Sequence, residues 1–435
     1  MPFLLAAIII LSGCINIRLP KIAIFQGEGR EKMAWLAIVR QTLRDNPDLE
    51  RARLNVKSKS LSRDRAFGDY LPSVDASMSR SHAKPAAASD KAQESQSYGI
   101  DVSHELFTGF RTTAEFLKAK RELESARFDY QVTSATVRFQ LRTSFIEVIR
   151  QKRLLDVNRK IAERKHRNSE MIELRYDAGR EHQGSLFRAQ AIAGQADFEM
   201  RQTERRIESK SLLLGRHAGA NFMTSFPVEG ELEPMINDIA DEKPDFARLA
   251  EKVPQVQNLV KLAESAKAAV ISAESAVLPQ VSGTYSYGYS GARFGDLRDS
   301  SSVGVTASVP LFNGGKNIET IQKAQVDYWA ALQRAESARN QAVSDLSDAW
   351  SSMKDAKESV LVRLKFLEAS RKRAEIVRAQ YEAGLLNFQD FDIAEQELSD
   401  SERSYIQSLS DALAQEANWH LIQGNTLEDL VYVQK

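Results

Sequence analysis

The chain has 435 residues, and 59 lysines plus arginines balance 59 aspartates plus glutamates. That neutrality argues against a nucleic-acid partner, which shows as a basic surplus. Alanine, serine, glutamate, lysine, arginine and leucine dominate, the bias of long helices and coiled coils, and a single cysteine excludes an intrachain disulfide framework.

Residues 1–14 read as a signal peptide. Phe3 to Leu11 is an apolar run of about nine residues, too short for a spanning helix of about twenty but suited to a secretory h-region. Leu11-Ser12-Gly13-Cys14 follows at once and resembles the lipobox of bacterial lipoproteins, where the thiol is acylated and becomes the new N-terminus. Cys14 is therefore the expected lipid-attachment site, with a free thiol in a hydrophobic segment as the competing reading. Residues 15–33 read as an N-terminal segment, irregular from about Pro20 to Gly29.

A first unit spans 34–219. Helical periodicity runs to Asn46-Pro47 and again from Asp48 to about Asp69, before Leu71-Pro72. Alternation of apolar and polar residues then predicts strands near 73–83 and 97–107, joined by a polar loop from Lys84 to Gln96. From Phe110 to Ala178 there is neither proline nor glycine, which predicts a helix over about 110–178, roughly 100 Å long. Such a helix cannot bury itself in a compact core and must pack along other helices. Gly179 ends it, and a return helix is expected over about 185–214.

After a connector over 220–245, the pattern repeats across 246–424, leaving 425–435 as a C-terminal tail. Strands are expected near 280–290 and 302–312, a long helix over 316–383 and a return helix over 388–422. Leu311-Phe312-Asn313-Gly314 matches Leu106-Phe107-Thr108-Gly109, and Tyr381-Glu382-Ala383-Gly384 matches Tyr176-Asp177-Ala178-Gly179. Both pairs are offset by 205 residues (314 − 109 and 384 − 179), so the chain carries an internal two-fold repeat. In the second long helix Ala335, Ala338, Ala342, Leu346, Ala349, Met353, Ala356, Val360, Leu364 and Leu367 recur at three- and four-residue steps, a seam for helix packing.

Each chain thus supplies four amphipathic strands of about ten residues, a length suited to a tilted bilayer-spanning strand. Four strands cannot close a barrel and open edges are not tolerated in lipid, so closure needs several chains. Two chains would give eight strands and three would give twelve; a soluble hairpin sheet packed on helices is the competing arrangement. Tyr285, Tyr287 and Tyr289 share one face, suited to a membrane interface. The glycine- and serine-rich opposite face suits water.

These features together resemble the TolC-like outer-membrane channel proteins, or outer membrane factors. The carriers are Asn46-Pro47, Leu71-Pro72, Leu106-Phe107-Thr108-Gly109 and Tyr176-Asp177-Ala178-Gly179, with second copies Leu278-Pro279, Pro310-Leu311-Phe312-Asn313-Gly314-Gly315 and Tyr381-Glu382-Ala383-Gly384-Leu385. The resemblance implies an α+β membrane protein: a homotrimer sharing a twelve-stranded β-barrel, four strands per chain, continued by a long α-helical barrel across the periplasm. It implies a passive conduit for efflux or type I secretion, docked to a periplasmic adaptor protein and to an inner-membrane RND, ABC or other pump. A non-membrane periplasmic coiled-coil scaffold is the alternative, and it leaves the four strands and the lipobox unexplained.

No enzyme is expected. The six histidines are scattered, none at metal-ligand spacing with another or with the cysteine, and no phosphate-binding loop is present, so neither cofactor nor metal is implied. The resemblance assigns adaptor contact to the hairpin tips: Tyr176, Gly179 and Arg180 in the first copy, Tyr381, Gly384 and Leu385 in the second, with Arg180 standing where the family has leucine. It also places an acidic pore constriction at Asp390, with Asp392 as a neighbouring candidate. The residues offer a second role for Asp390, as the N3 acid of a helix capped by Asn387. The first copy has His182 and Ser185 at these places (387 − 205 and 390 − 205), so only the second tip could carry that ring.

Overall fold

Asn46 shows how the chain starts a helix. Its side-chain oxygen accepts from the backbone N–H groups of Asp48 and Leu49 at 2.9 and 3.1 Å, while Pro47 occupies a first-turn position that needs no donor. The computed structural model describes residues 35–83, 93–220, 228, 230, 232, 243–292 and 296–432. The signal segment with Cys14 lies outside the described residues, as does most of the 220–245 connector.

The first half runs α1 (Trp35–Asp45), α2 (Pro47–Gly68), β1 (Ser73–Ala83), β2 (Gln93–Phe107), α3 (Arg111–Asp177) and α4 (Gln183–His217). The second runs α5 (Phe246–Ala250), α6 (Pro254–Glu274), β3 (Gln280–Gly291), β4 (Arg298–Ser308), α7 (Lys316–Glu382) and α8 (Phe388–Ile422), followed by α9 (Asp429–Tyr432). Helices α3 and α7 are each 67 residues and α4 and α8 each 35, the repeat expressed in length. At 1.5 Å per residue the long pair reaches about 100 Å.

The helices pack side by side in the order α4–α3–α8–α7. Of the expected seam on α7, Ala335, Ala342, Leu346, Ala349, Met353, Val360 and Leu367 are buried, while Ala338, Ala356 and Leu364 are half-buried. Around the midpoint of α3, Leu141, Phe145 and Ile149 form the largest apolar cluster with Ile38, Leu49 and Leu214.

Three details depart from expectation. β2 starts at Gln93 rather than near 97, because its N-terminal residues pair with Ser81 to Ala83 on β1. β4 covers Arg298–Ser308 rather than 302–312. Its last partner is Gln280, the first residue of β3, and Pro310 has no N–H with which to extend the ladder. The expected C-terminal tail contains a packed element over its described residues: Leu427 is fully buried, and Glu428 accepts from the hydroxyls of Tyr130 and Ser134 on α3. A helix as short as α9 carries no periodicity for sequence reasoning to detect.

The four strands form one antiparallel sheet in the order β1-β2-β3-β4, leaving β1 and β4 as edges. The register puts Ala76, Ile100 and Tyr287 in one row and Val102, Tyr285 and Val303 in another. The opposite face carries serine, glycine, threonine and aspartate. Ser73 pairs with Ser103, Ser79 with Ser97 and Ser81 with Ser95, hydroxyl to hydroxyl at 2.8, 2.9 and 2.8 Å. Among the described residues no helix covers the apolar side: Val303 is 82 % and Val305 70 % exposed.

Candidate functional site at the hairpin tips

Both helical hairpins turn by one device. At the first tip Gly179 takes φ +69°, the N–H of Arg180 donates to Arg175 O at 2.8 Å, and that of Gly179 to Tyr176 O at 2.9 Å. At the second, Gly384 takes φ +77°, with Leu385 N donating to Gln380 O at 2.9 Å and Gly384 N to Tyr381 O at 3.0 Å. This reversal needs left-handed backbone, which glycine adopts without a Cβ penalty. The return helices are capped in parallel. His182 Nδ1 accepts from Ser185 N at 3.2 Å and Asn387 Oδ1 from Asp390 N at 2.9 Å.

The side chains break the symmetry. Gly179, Arg180 and Gly384 are exposed and Tyr176 stands just on the exposed side, while Leu385 is 75 % exposed. Tyr381, by contrast, is 1 % exposed. This corrects its assignment as a surface contact: its ring stacks on Phe391 at 4.8 Å, the guanidinium of Arg175 lies over it at 4.6 Å, and Arg175 donates to its carbonyl at 3.1 Å. Its hydroxyl donates to Glu181 at 2.7 Å. Burial first, then that hydrogen bond, pushes the phenol above its usual range.

The two acidic candidates also separate. Asp390 is exposed. Asp392 is buried against the first hairpin, where Arg188 donates to it through Nε and Nη2 at 3.0 and 2.8 Å. Its carboxylate is a strut between hairpins, which corrects the expectation that it could substitute for Asp390. Farther up, Arg164 of α3 reaches Glu395 at 3.1 Å and Glu402 at 3.0 Å on α8, and Arg403 of α8 pairs with Glu199 of α4. A polar ladder therefore joins the α3–α4 hairpin to α8 from the tip upward.

Sequence reasoning missed Arg175, Glu181 and Arg188. A signal existed: their counterparts 205 residues on are Gln380, Leu386 and Ile393, so charge appears in one copy where the other has none. Among the described residues no group of histidine, cysteine, aspartate and glutamate could hold a metal ion, and no helix is long and apolar enough to cross a membrane.

Comparison with known proteins agrees with this architecture. The chain is 23 % identical over 211 residues to outer membrane protein OprJ of Pseudomonas aeruginosa, across 48 % of this chain and 43 % of that protein, so the match spans less than half the relative's length. Among solved structures, a membrane protein from Pseudomonas aeruginosa superposes with a TM-score of 0.82 at 18 % identity, covering 89 % of this chain and 93 % of the other. The outer membrane protein VceC of Vibrio cholerae superposes with a TM-score of 0.80 at 18 % identity, covering 90 % and 96 %. At such identities these likenesses establish the fold. A sequence model of the outer membrane efflux protein family matches twice, over residues 38–216 and 247–425, one match for each repeat. The chain belongs to the outer membrane efflux protein family.

Proposed function

We propose that this chain is the outer-membrane channel of a tripartite export system, a homotrimer whose sheets close into one barrel and whose hairpins form a periplasmic tunnel. The observation that carries this reading is the four-stranded sheet, apolar on one uncovered face and serine-rich on the other, with both edges open. Lipid satisfies the first face and water the second; only further chains can satisfy the edges. Leu311 and Phe312, 93 % and 89 % exposed where the barrel meets the tunnel, suit the interfacial zone of a bilayer. A scaffold outside the membrane would leave all of this surface in water.

In this reading the channel is a passive conduit without a catalytic group. Gly179, Arg180, Gly384 and Leu385 present the tips to a periplasmic adaptor, with Tyr176 beside them. Tyr381 and Asp392 hold the hairpins together, and three copies of Asp390 around the axis form an acidic constriction that favours cations. An inner-membrane pump supplies the energy. Cys14 anchors the mature chain through an acyl group.

The test is fractionation of wild-type protein and a Cys14→Ala variant, with electron microscopy of detergent-extracted particles. Trimers about 100 Å or more in length from the outer-membrane fraction are expected, and loss of acyl labelling in the variant. A soluble wild-type monomer would sink the channel reading.

A further inference from the structure

Lys165 sits on α3 where that helix floors a groove between α4 and α8. Its side chain is buried, with the residue only 5 % exposed. A buried ammonium ordinarily has a carboxylate partner, because desolvating an unpaired charge is costly. Among the described residues Lys165 has no ion pair within 4.0 Å and no hydrogen bond. It opens instead into a cavity of about 340 Å³, walled by Arg188 and Ala196 of α4 and Arg403 of α8 among others.

The charged groups around it are committed elsewhere. On α8, Glu395 is taken by Arg164 and Arg378, and Asp392 by Arg188. On α4, Glu199 is taken by Arg403 and also accepts from Gln195 at 2.9 Å. Arg164 is the neighbouring cation on α3 itself. The cavity lining thus carries three cationic side chains, Lys165, Arg188 and Arg403, against one carboxylate, Glu199, which Arg403 already engages, and of Arg188 only Nε and Nη2 engage Asp392, leaving Nη1 as a donor. Burial holds the lysine below its usual range, an effect opposed by Glu395 and Asp392.

The repeat shows that the feature is peculiar to one copy. The positions 205 residues on from Lys165 and Ala196 are Ser370 and Ser401, which close on each other at 2.9 Å. The first copy has a long cation and a methyl group in place of that hydroxyl pair, which removes the hydrogen-bonding partner and supplies charge.

We propose that this cavity is a binding site for a small oxyanion, a phosphate or carboxylate group, held by Lys165 from below and by Arg188 from the rim. It lies in the helical layer, away from the tip turns and the sheet, and the proposal does not depend on the channel reading.

The test uses the full-length protein in detergent at constant ionic strength. Sodium phosphate and sodium acetate are titrated separately, with calorimetry and the thermal midpoint as readouts. Wild type is expected to saturate with at least one of them and to gain stability as it does. Lys165→Met, similar in length but uncharged, should weaken binding at least about tenfold, the scale of one charge-assisted contact. Lys165→Arg should retain it within about threefold. Should Lys165→Met fail to fold, the wild-type titrations still decide, because they need no variant. Absence of saturation by either anion in wild type would overturn the proposal. So would equal affinity in wild type and Lys165→Met, or a density map of the assembled protein placing a neighbouring copy's carboxylate on the Lys165 ammonium.

Discussion

Tyr381, at the end of α7, donates its hydroxyl proton to Glu181, at the turn of the other hairpin, across 2.7 Å. The two residues belong to different repeats, so this bond fixes one tip against the other. A hydrogen bond to a carboxylate that is partly exposed is worth about 1–2 kcal/mol after solvent screening. If the tips must part for the tunnel to open, Tyr381→Phe should raise the open population by about five- to thirtyfold. Single-channel conductance in planar bilayers measures this, and an unchanged open fraction would remove the link from the gate. The bond also has a pH limit. Burial pushes the pKa of Glu181 up, but hydrogen bonds from Tyr381, Ser185 and the His182 backbone outweigh it and bring it below the usual 4.5. A lowered acid contributes stability fully above its unfolded value and loses it as pH falls through the folded one. The wild-type tip should therefore stay linked at pH 5 and loosen only in stronger acid.

Asp390→Ala and Asp392→Ala should differ in kind. Asp390 is exposed, so its loss should weaken cation preference or raise conductance with little change in thermal midpoint. Asp392 holds Arg188 in a two-pronged contact, so its loss leaves a cation without its partner at the hairpin seam. That variant should lower the midpoint by a few degrees, as expected for about 1 kcal/mol. Reversal potentials in asymmetric salt, with a melting curve for each variant, separate the two.

His420 makes a different pH-dependent contribution. Burial, with Arg138, Arg142 and Lys357 nearby, lowers its pKa from 6.5 to about 4. Its Nδ1 accepts from Asn425 at 2.9 Å, consistent with a neutral ring. Between those values the unfolded chain binds a proton that the folded chain refuses, so stability falls as pH drops from 6.5 toward 4. The loss is on the order of 3 kcal/mol at most. His420→Gln should flatten this part of a denaturation-versus-pH curve; a curve of unchanged slope would mean that other groups carry it.

Gly109 and Gly314 are equivalent by the repeat, yet alanine should cost more at the first. Both have positive φ, +61° and +70°, so both pay backbone strain, about 1–2 kcal/mol. A Cβ on Gly109 would also lie 2.8 Å from Leu278 Cβ and 3.0 Å from Ser275 O, while one on Gly314 meets nothing within 4 Å. Melting curves of Gly109→Ala and Gly314→Ala should therefore rank in that order, and equal midpoints would show that the junction relaxes.

What the sequence disclosed and what it hid follow from the same physics. Glycine at 179 and 384, proline at 47 and 254, and alternation from Val74 to Met78 are local requirements of backbone geometry, so they stand out in one dimension. The bonds from Tyr381 to Glu181 and from Arg188 to Asp392 join residues 200 and 204 positions apart. Nothing periodic accompanies them, and only the comparison of one repeat with the other exposes their charges. Alternation alone places β4 too far along the chain, because the hydrophobic pattern continues through Val309 and Leu311 after the pairing partner has ended.

The open edges of β1 and β4 have a consequence for how such a channel is made. A single subunit exposes unpaired N–H and C=O groups along both margins of its sheet, and no bilayer accepts them. If the chain forms the trimeric channel proposed above, insertion waits until neighbours have docked edge to edge. The yield then rises steeply with subunit concentration, and a copy with a broken margin stalls before it reaches lipid. The requirement for closure acts as an inspection step: a leaky, half-built pore has no route into the envelope.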